Sequence, residues 1–211
     1  MKITYIGHAC FVVENNAGGK IATDPYKKGS VPGLSAPDIE ADEVICSHGH
    51  ADHNAFDEVS APAEPWGGDF KIFPIKTYHD NMKGILRGRN NINRFEVDGL
   101  KFVHMGDIGC DLTDTQLDEI KGCDVLMIPI GGFFTINARQ ACEMINLIEP
   151  RAVIPMHYRG VNFGYKEIAV REDFVELIEK DGTRETVAAG SEIDSIPEGR
   201  SLILMEPLRK M

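Results

Sequence analysis

The chain has 211 residues, 43% of them hydrophobic, enough for one domain with a well-filled core. Acidic side chains outnumber basic ones, 33 to 22, and the formal net charge of −11 argues against a broad basic surface that would hold a nucleic-acid backbone. No run approaches the roughly 18 to 20 apolar residues that span a bilayer.

The N-terminus Met1-Lys2-Ile3-Thr4-Tyr5-Ile6-Gly7 reads as a strand rather than a signal peptide. Five cysteines (Cys10, Cys46, Cys110, Cys123, Cys142) form no C-x-x-C pair and read as reduced thiols, so a cytoplasmic protein is expected. Ile3 and Tyr5, then Phe11, Val12 and Val13, mark two strands over 2–14, broken at Gly7-His8. Residues 15–19 are a turn and 20–23 a third strand, giving an N-terminal meander. Asp24 closes that strand ahead of Pro25. A Gly- and Pro-rich loop over 26–38 follows, with Lys27 and Lys28 expected at the solvated surface.

Val44, Ile45 and Cys46 make a short apolar strand over 43–47, which delivers Ser47-His48-Gly49-His50-Ala51-Asp52-His53-Asn54. The metal-capable side chains His48, His50, Asp52 and His53 crowd into this one stretch. In extended backbone the first three share a side, and His53 forces a turn. Such groups are costly to desolvate unless paired or metal-bound. Imidazole nitrogen and carboxylate oxygen suit zinc and related first-row divalent metals.

Residues 55–69 predict a short helix or irregular segment, and 70–78 a strand followed by His79. The basic, glycine-punctuated stretch 81–91 reads as a surface hairpin, with a loop reaching over the site as the alternative. Residues 92–97, the Asp98-Gly99 turn and 100–105 read as a β-hairpin, with His104 a strand residue and not a ligand. Glycines at 106 and 109 allow a tight turn around Asp107. A helix is predicted over 113–121, with Thr113 and Gln116 as a capping box. An apolar strand over 124–129 and the loop Gly131-Gly132-Phe133-Phe134-Thr135 follow. A helix over 137–148 buries Ala138, Ala141, Ile145 and Ile148. A strand over 152–155 presents His157. Residues 170–180 predict a helix stopping at Asp181-Gly182, and 186–188 and 201–205 are closing strands.

The spacing His-x-His-x-Asp-His at 48–53 resembles the signature of the metallo-β-lactamase-fold hydrolases. Thr23-Asp24-Pro25, Thr77-Tyr78-His79-Asp80, Gly106-Asp107 and Pro155-Met156-His157-Tyr158 complete that pattern in order, over nearly the whole chain. The opening Tyr5-Ile6-Gly7-His8-Ala9-Cys10-Phe11 also resembles the ascorbate-6-phosphate lactonase-like branch. The pattern of elements alone gives mixed α and β. The resemblance implies one domain over 1–211, a four-layer αββα sandwich.

It further implies a binuclear centre, with His48, His50 and His79 around one metal, Asp52, His53 and His157 around the second, and Asp107 between them. Zinc is expected; such nitrogen and oxygen sites also take manganese, iron, nickel or cobalt. Asp52 is expected to take part in catalysis by steadying a metal-bound hydroxide. His8 is expected to face substrate or orient a ligand, and Asp24 to brace the metal loop. Tyr158 and Arg159 are candidate substrate contacts. The implied activity is metal-dependent hydrolysis of a small ester, lactone or phosphoester. A nuclease or phosphodiesterase is an alternative that the acidic balance disfavours. A diiron oxidoreductase is another; such relatives place Glu where His50 stands and carry a fused flavin domain for which there is no room here. A non-catalytic metal-binding member is disfavoured by the complete ligand set. The expected partner is a small molecule, anionic or phosphorylated forms included, with no nucleic acid and no membrane. Homo-oligomerisation stays open.

Overall fold

The apolar runs at the N-terminus build an antiparallel meander of β1 (Lys2–Gly7), β2 (Cys10–Glu14) and β3 (Lys20–Thr23) in the computed structural model, which describes residues 1–180 and 182–211. The chain continues through β4 (Ile39–Glu40), β5 (Glu43–Ile45), a 3-10 turn at Phe56–Glu58 and β6 (Val59–Ser60). Next come β7 (Lys71–Tyr78), β8 (Arg89–Val97) and β9 (Leu100–His104), with β8 antiparallel to both β7 and β9. Helices and strands then alternate: α1 (Asp114–Ile120), β10 (Val125–Pro129), α2 (Ala138–Ile148), β11 (Ala152–Met156) and α3 (Arg171–Glu179). The chain closes with β12 (Glu185–Ala188), β13 (Glu192–Ile193) and β14 (Ser201–Leu204).

The strands form a five-stranded sheet, β13-β1-β2-β3-β5, and a seven-stranded sheet, β12-β14-β11-β10-β9-β8-β7; β4 and β6 pair separately. Ile3 and Phe11 of the first sheet and Phe95, Phe102 and Ile128 of the second belong to one buried cluster. Strands β10 and β11 are buried along their whole length, as the uninterrupted apolar sequence predicts for a sheet covered on both faces. The three helices lie between strands of the seven-stranded sheet, and α2 packs on both α1 and α3. Thr113 and Gln116 form the expected capping box on α1, and Asn137 and Gln140 form a second one on α2. Helix α2 buries Ala138, Ala141, Ile145 and Ile148, as its spacing predicts. Asp181, expected at the stop after α3, lies outside the described residues. No helix among the described residues is long and apolar enough to cross a membrane.

Strand direction places the site. β1 and β3 run parallel to each other across β2, and β5 is parallel to β3. β7 runs parallel to β9 across β8, and β10 and β11 continue parallel to β9. The residues that follow the C-terminal ends of β1, β3, β5, β7, β9 and β11 are His8, Asp24, the 47–53 stretch, His79, Gly106-Asp107 and His157. Loops converge there while the sheets stay rigid. His8, Asp24 and His157 adopt φ of 59°, 40° and 53°, a region unfavourable for side chains with a Cβ. At each of them the chain turns sharply off its strand.

The boundaries differ from expectation where polar residues pair. Strand β8 begins at Arg89, so Arg89, Asn90 and Asn91 belong to the sheet rather than to a surface loop. Their partners on β7 are Tyr78, Thr77 and Lys76.

Candidate metal centre

The 47–53 stretch folds around one buried carboxylate. Asp24 Oδ1 accepts the Ser47 backbone N–H at 2.6 Å, and Oδ2 accepts the Ser47 hydroxyl at 2.6 Å and His53 Nδ1–H at 2.8 Å. Because the Ser47 hydroxyl donates its single hydrogen to Asp24, it accepts from His48 Nδ1 at 2.9 Å. Nδ1 of His48 and of His53 is therefore the donor, which turns Nε2 of each ring toward the centre, the outer-shell arrangement that fixes a ligating imidazole.

At that centre the Oδ2 atom of Asp107 lies 3.2 Å from His79 Nε2, 3.2 Å from His157 Nε2, 3.3 Å from His53 Nε2 and 3.9 Å from His48 Nε2. His50 Nδ1 is 3.0 Å from His48 Nε2. Asp52 Oδ2 is 3.6 Å from His53 Nε2 and 3.3 Å from His8 Nε2. Two groups of donor atoms stand close enough to share an ion: His48, His50 and His79, and His8, Asp52, His53 and His157. A third, Asp24 with His48 and His53, reflects the bracing just described. Two ligands about 2 Å from a tetrahedral ion lie roughly 3.3 Å apart, so these separations are those of a coordination shell. Buried His53 Nε2 and Asp107 Oδ1 have no hydrogen-bond partner, a costly condition for a metal-free core. The donor set and its orphaned atoms fit divalent cations.

Two glycines make the Asp107 turn. A Cβ on Gly106, at φ 55°, would stand 2.4 Å from Asn90 Oδ1 and 2.4 Å from Ser47 Cβ. One on Gly109 would stand 2.4 Å from the His79 carbonyl oxygen. Asn90 also accepts the Asp107 backbone N–H at 2.9 Å and donates to the Met105 carbonyl at 2.9 Å, which locks the turn to β8.

Burial, reinforced by His157, lowers His8 to about 4, and burial lowers His48 to about 3, so both imidazoles stay neutral, the form that coordinates. Burial pushes the Asp107 carboxyl up, but His157 and His53 hold it well below the usual range. Burial likewise opposes the lowering of Asp24, which His104 and His53 impose. Against its own burial, His53 is raised by Asp107 and Asp24. Burial pushes the half-buried Cys46 thiol up to about 12.

The remaining candidates separate. His104 is fully buried beneath the centre; its Nε2–H donates to the Ala9 carbonyl at 2.8 Å and its Nδ1 accepts from Gly106 N–H at 3.2 Å. Asp24, expected to brace the metal loop, is fully buried, and its oxygens are occupied by Ser47 and His53. His8 is buried beside Asp52 and accepts, through its carbonyl, the His157 backbone N–H at 2.9 Å. Tyr158 and Arg159 turn away from the donors, to the Met205 and Ile168 carbonyls. Over the donors opens a cavity of about 290 Å³, lined also by Arg87, Phe134 and Tyr165. Arg87 belongs to the stretch read as a surface hairpin; it reaches over the site instead. Tyr165 was not signalled by any motif, although its hydroxyl lies 3.2 Å from Asp52 Oδ2 and 2.7 Å from the Ser30 carbonyl oxygen. Phe134 had only its loop composition to mark it.

Comparison with known proteins agrees with this geometry. The family model described as Beta-lactamase superfamily domain matches residues 2–157. A protein of Carboxydothermus hydrogenoformans named UPF0173 metal-dependent hydrolase is 31% identical over 193 residues, covering 75% of this chain and 84% of the relative. A metallo-beta-lactamase superfamily protein from Thermotoga maritima superposes with a TM-score of 0.75 at 31% identity, over 97% of each chain. CmlA, a diiron beta-hydroxylase from Streptomyces venezuelae, shares the fold at a TM-score of 0.57 and 13% identity, over 97% of this chain and 52% of its own. With the motif order, the two-sheet sandwich and the family match in agreement, the chain belongs to the metallo-β-lactamase superfamily.

Proposed function

We propose that this protein is a binuclear metal-dependent hydrolase of small esters, lactones or phosphoesters. The observation that carries the reading is the convergence of imidazole nitrogens on Asp107 Oδ2, with buried atoms left unpartnered at the same point. His48, His50 and His79 would hold one cation, Asp52, His53 and His157 the other, and Asp107 would stand between them. Zinc fits this nitrogen-rich donor set best. Relatives named metal-dependent hydrolases support the reaction class.

Two divalent cations, when bound, supply Lewis acidity and acidify a water at neutral pH. The chain's own residues orient the rest. Asp24 and Ser47 hold His48 and His53 in the coordinating tautomer. Asp52 is fixed by His8 on one side and approached by the Tyr165 hydroxyl on the other. Against its own burial, the His8 contact holds the Asp52 carboxylate ionised well below its usual range. Phe134 and Tyr165 line the cavity and give part of its wall an apolar, aromatic surface. Free thiols at all five cysteines support a reducing, cytoplasmic setting.

The test is a screen of zinc-loaded protein against aryl esters, lactones and phosphodiesters. Turnover of at least one class is expected, abolished by a chelator and lowered on the order of a hundredfold or more in Asp107→Asn. Turnover that survives both treatments contradicts the reading.

A further inference from the structure

Arg87 and His50 line two openings. One is the donor cavity; the other is a groove of about 640 Å³ bordered by Lys76, Arg89 and Asn91. In a chain with 33 acidic and 22 basic residues, no Asp or Glu lines this groove. Lys76 and Arg89 lie diagonally on one face of the β7–β8 pair, since Lys76 opposes Asn91 and Tyr78 opposes Arg89. Among the described residues no carboxylate pairs with Lys76, Arg87 or Arg89. Lys71, near the far end of β7, pairs with Glu96 at 3.2 Å, so the strand neutralises its cations elsewhere.

Arg87 is also held in place. The Asp80 carboxylate accepts the backbone N–H groups of Met82, Gly84, Leu86 and Arg87 at 2.8, 2.9, 3.1 and 2.8 Å. Gly88 is tied to both His79 and Gly84 through the backbone. The guanidinium lies 5.8 Å from the Phe134 ring centroid, at the divide between cavity and groove. Three unpaired cations converging beside a centre built for two more repel one another unless an anion lies among them.

We propose that the Lys76–Arg87–Arg89 groove binds a phosphate or carboxylate group of the substrate, remote from the bond that is cleaved. The substrate is thus a small molecule with an oxyanion at one end and the scissile group at the other. This rests on the hydrolase reading above. Arg87 supplies the planar fork that pairs with an oxyanion, and Lys76 and Arg89 supply charge further along. Confinement of the cations to one groove of an acidic protein favours a compact anion over a polynucleotide.

The experiment measures calorimetric affinity of the zinc-loaded full chain for phenylphosphonate and for 4-carboxyphenylphosphonate. The carboxylated ligand is expected to bind about tenfold more tightly, the size of a charge-assisted hydrogen bond. That ratio should fall toward one in Arg87→Met and in the Lys76→Met, Arg89→Met double variant, with zinc content and melting temperature showing that each variant is folded and loaded. Equal affinities in the wild type overturn the proposal, as does a ratio retained by both variants. An eight-nucleotide oligothymidylate that displaces the carboxylated ligand and binds more tightly also overturns it. If the ratio stands but no ester, lactone or phosphoester is turned over, the hydrolase reading fails and the anion site survives.

Discussion

Asp24 decides which nitrogen of two histidines faces the centre, directly for His53 and through Ser47 for His48. Its amide analogue cannot accept from all three donors at once. Asp24→Asn is therefore expected to weaken metal affinity by about 10- to 100-fold while the ligands themselves are unchanged, as loss of an outer-shell partner does. Metal titration by calorimetry checks this; unchanged affinity would show that Asp24 only fills space. His79 and His104 make a sharper contrast. Both are buried histidines at a strand end, but His79 reaches Asp107 while His104 spends both nitrogens on backbone. His79→Ala should lose about one metal's worth of binding. His104→Ala should keep its metals and lose roughly 2–3 kcal/mol of stability, because it strands the buried Ala9 carbonyl and Gly106 N–H. Metal content and melting temperature, measured on both, would contradict the assignment if the two variants exchanged behaviours.

At the scale of elements, the strand ends around the centre were legible because an apolar or alternating run lies just ahead of each polar motif. The capping box on α1 was legible for the same reason: it is local in sequence. The strands β4, β6 and β13 are two residues long and leave no periodic signal. The loop after β7 was misread because what shapes it is a through-space contact. Asp80 gathers four backbone N–H groups, which also keep its carboxyl below the usual range against the desolvation that would raise it. The composition of 81–91, with its lysine, arginines and glycines, looks the same whether the loop points to solvent or over a cavity. Asp80→Ala should leave the sheets intact and release this loop. Hydrogen exchange at the amides of Met82, Gly84, Leu86 and Arg87 is expected to accelerate, while amides in β10 and β11 stay protected. Equal protection in variant and wild type would mean the loop is held by something other than Asp80.

At the scale of the molecule, two sheets meet with their strand ends on one edge, and that edge gathers histidines and carboxylates from residues 8 to 157. The order of motifs made the superfamily readable from sequence, since five short patterns recur in sequence order at strand ends. Tyr165 escaped because it comes from a loop beyond the last motif and owes its place to the Ser30 carbonyl, 135 residues away. The acidic surface and the cation-lined groove are likewise a property of the folded chain, since Lys76 and Arg89 meet only across the β7–β8 pairing. Metal binding should raise the melting temperature, because the assembled donors exist only in the folded state. It should weaken on acidification, since the imidazoles must be deprotonated to coordinate. The most direct test of the binuclear centre is elemental analysis of the protein after stripping with chelator and reconstitution with excess zinc, followed by removal of free metal. Two zinc ions retained per chain is the predicted result; a stoichiometry that never exceeds one would contradict it.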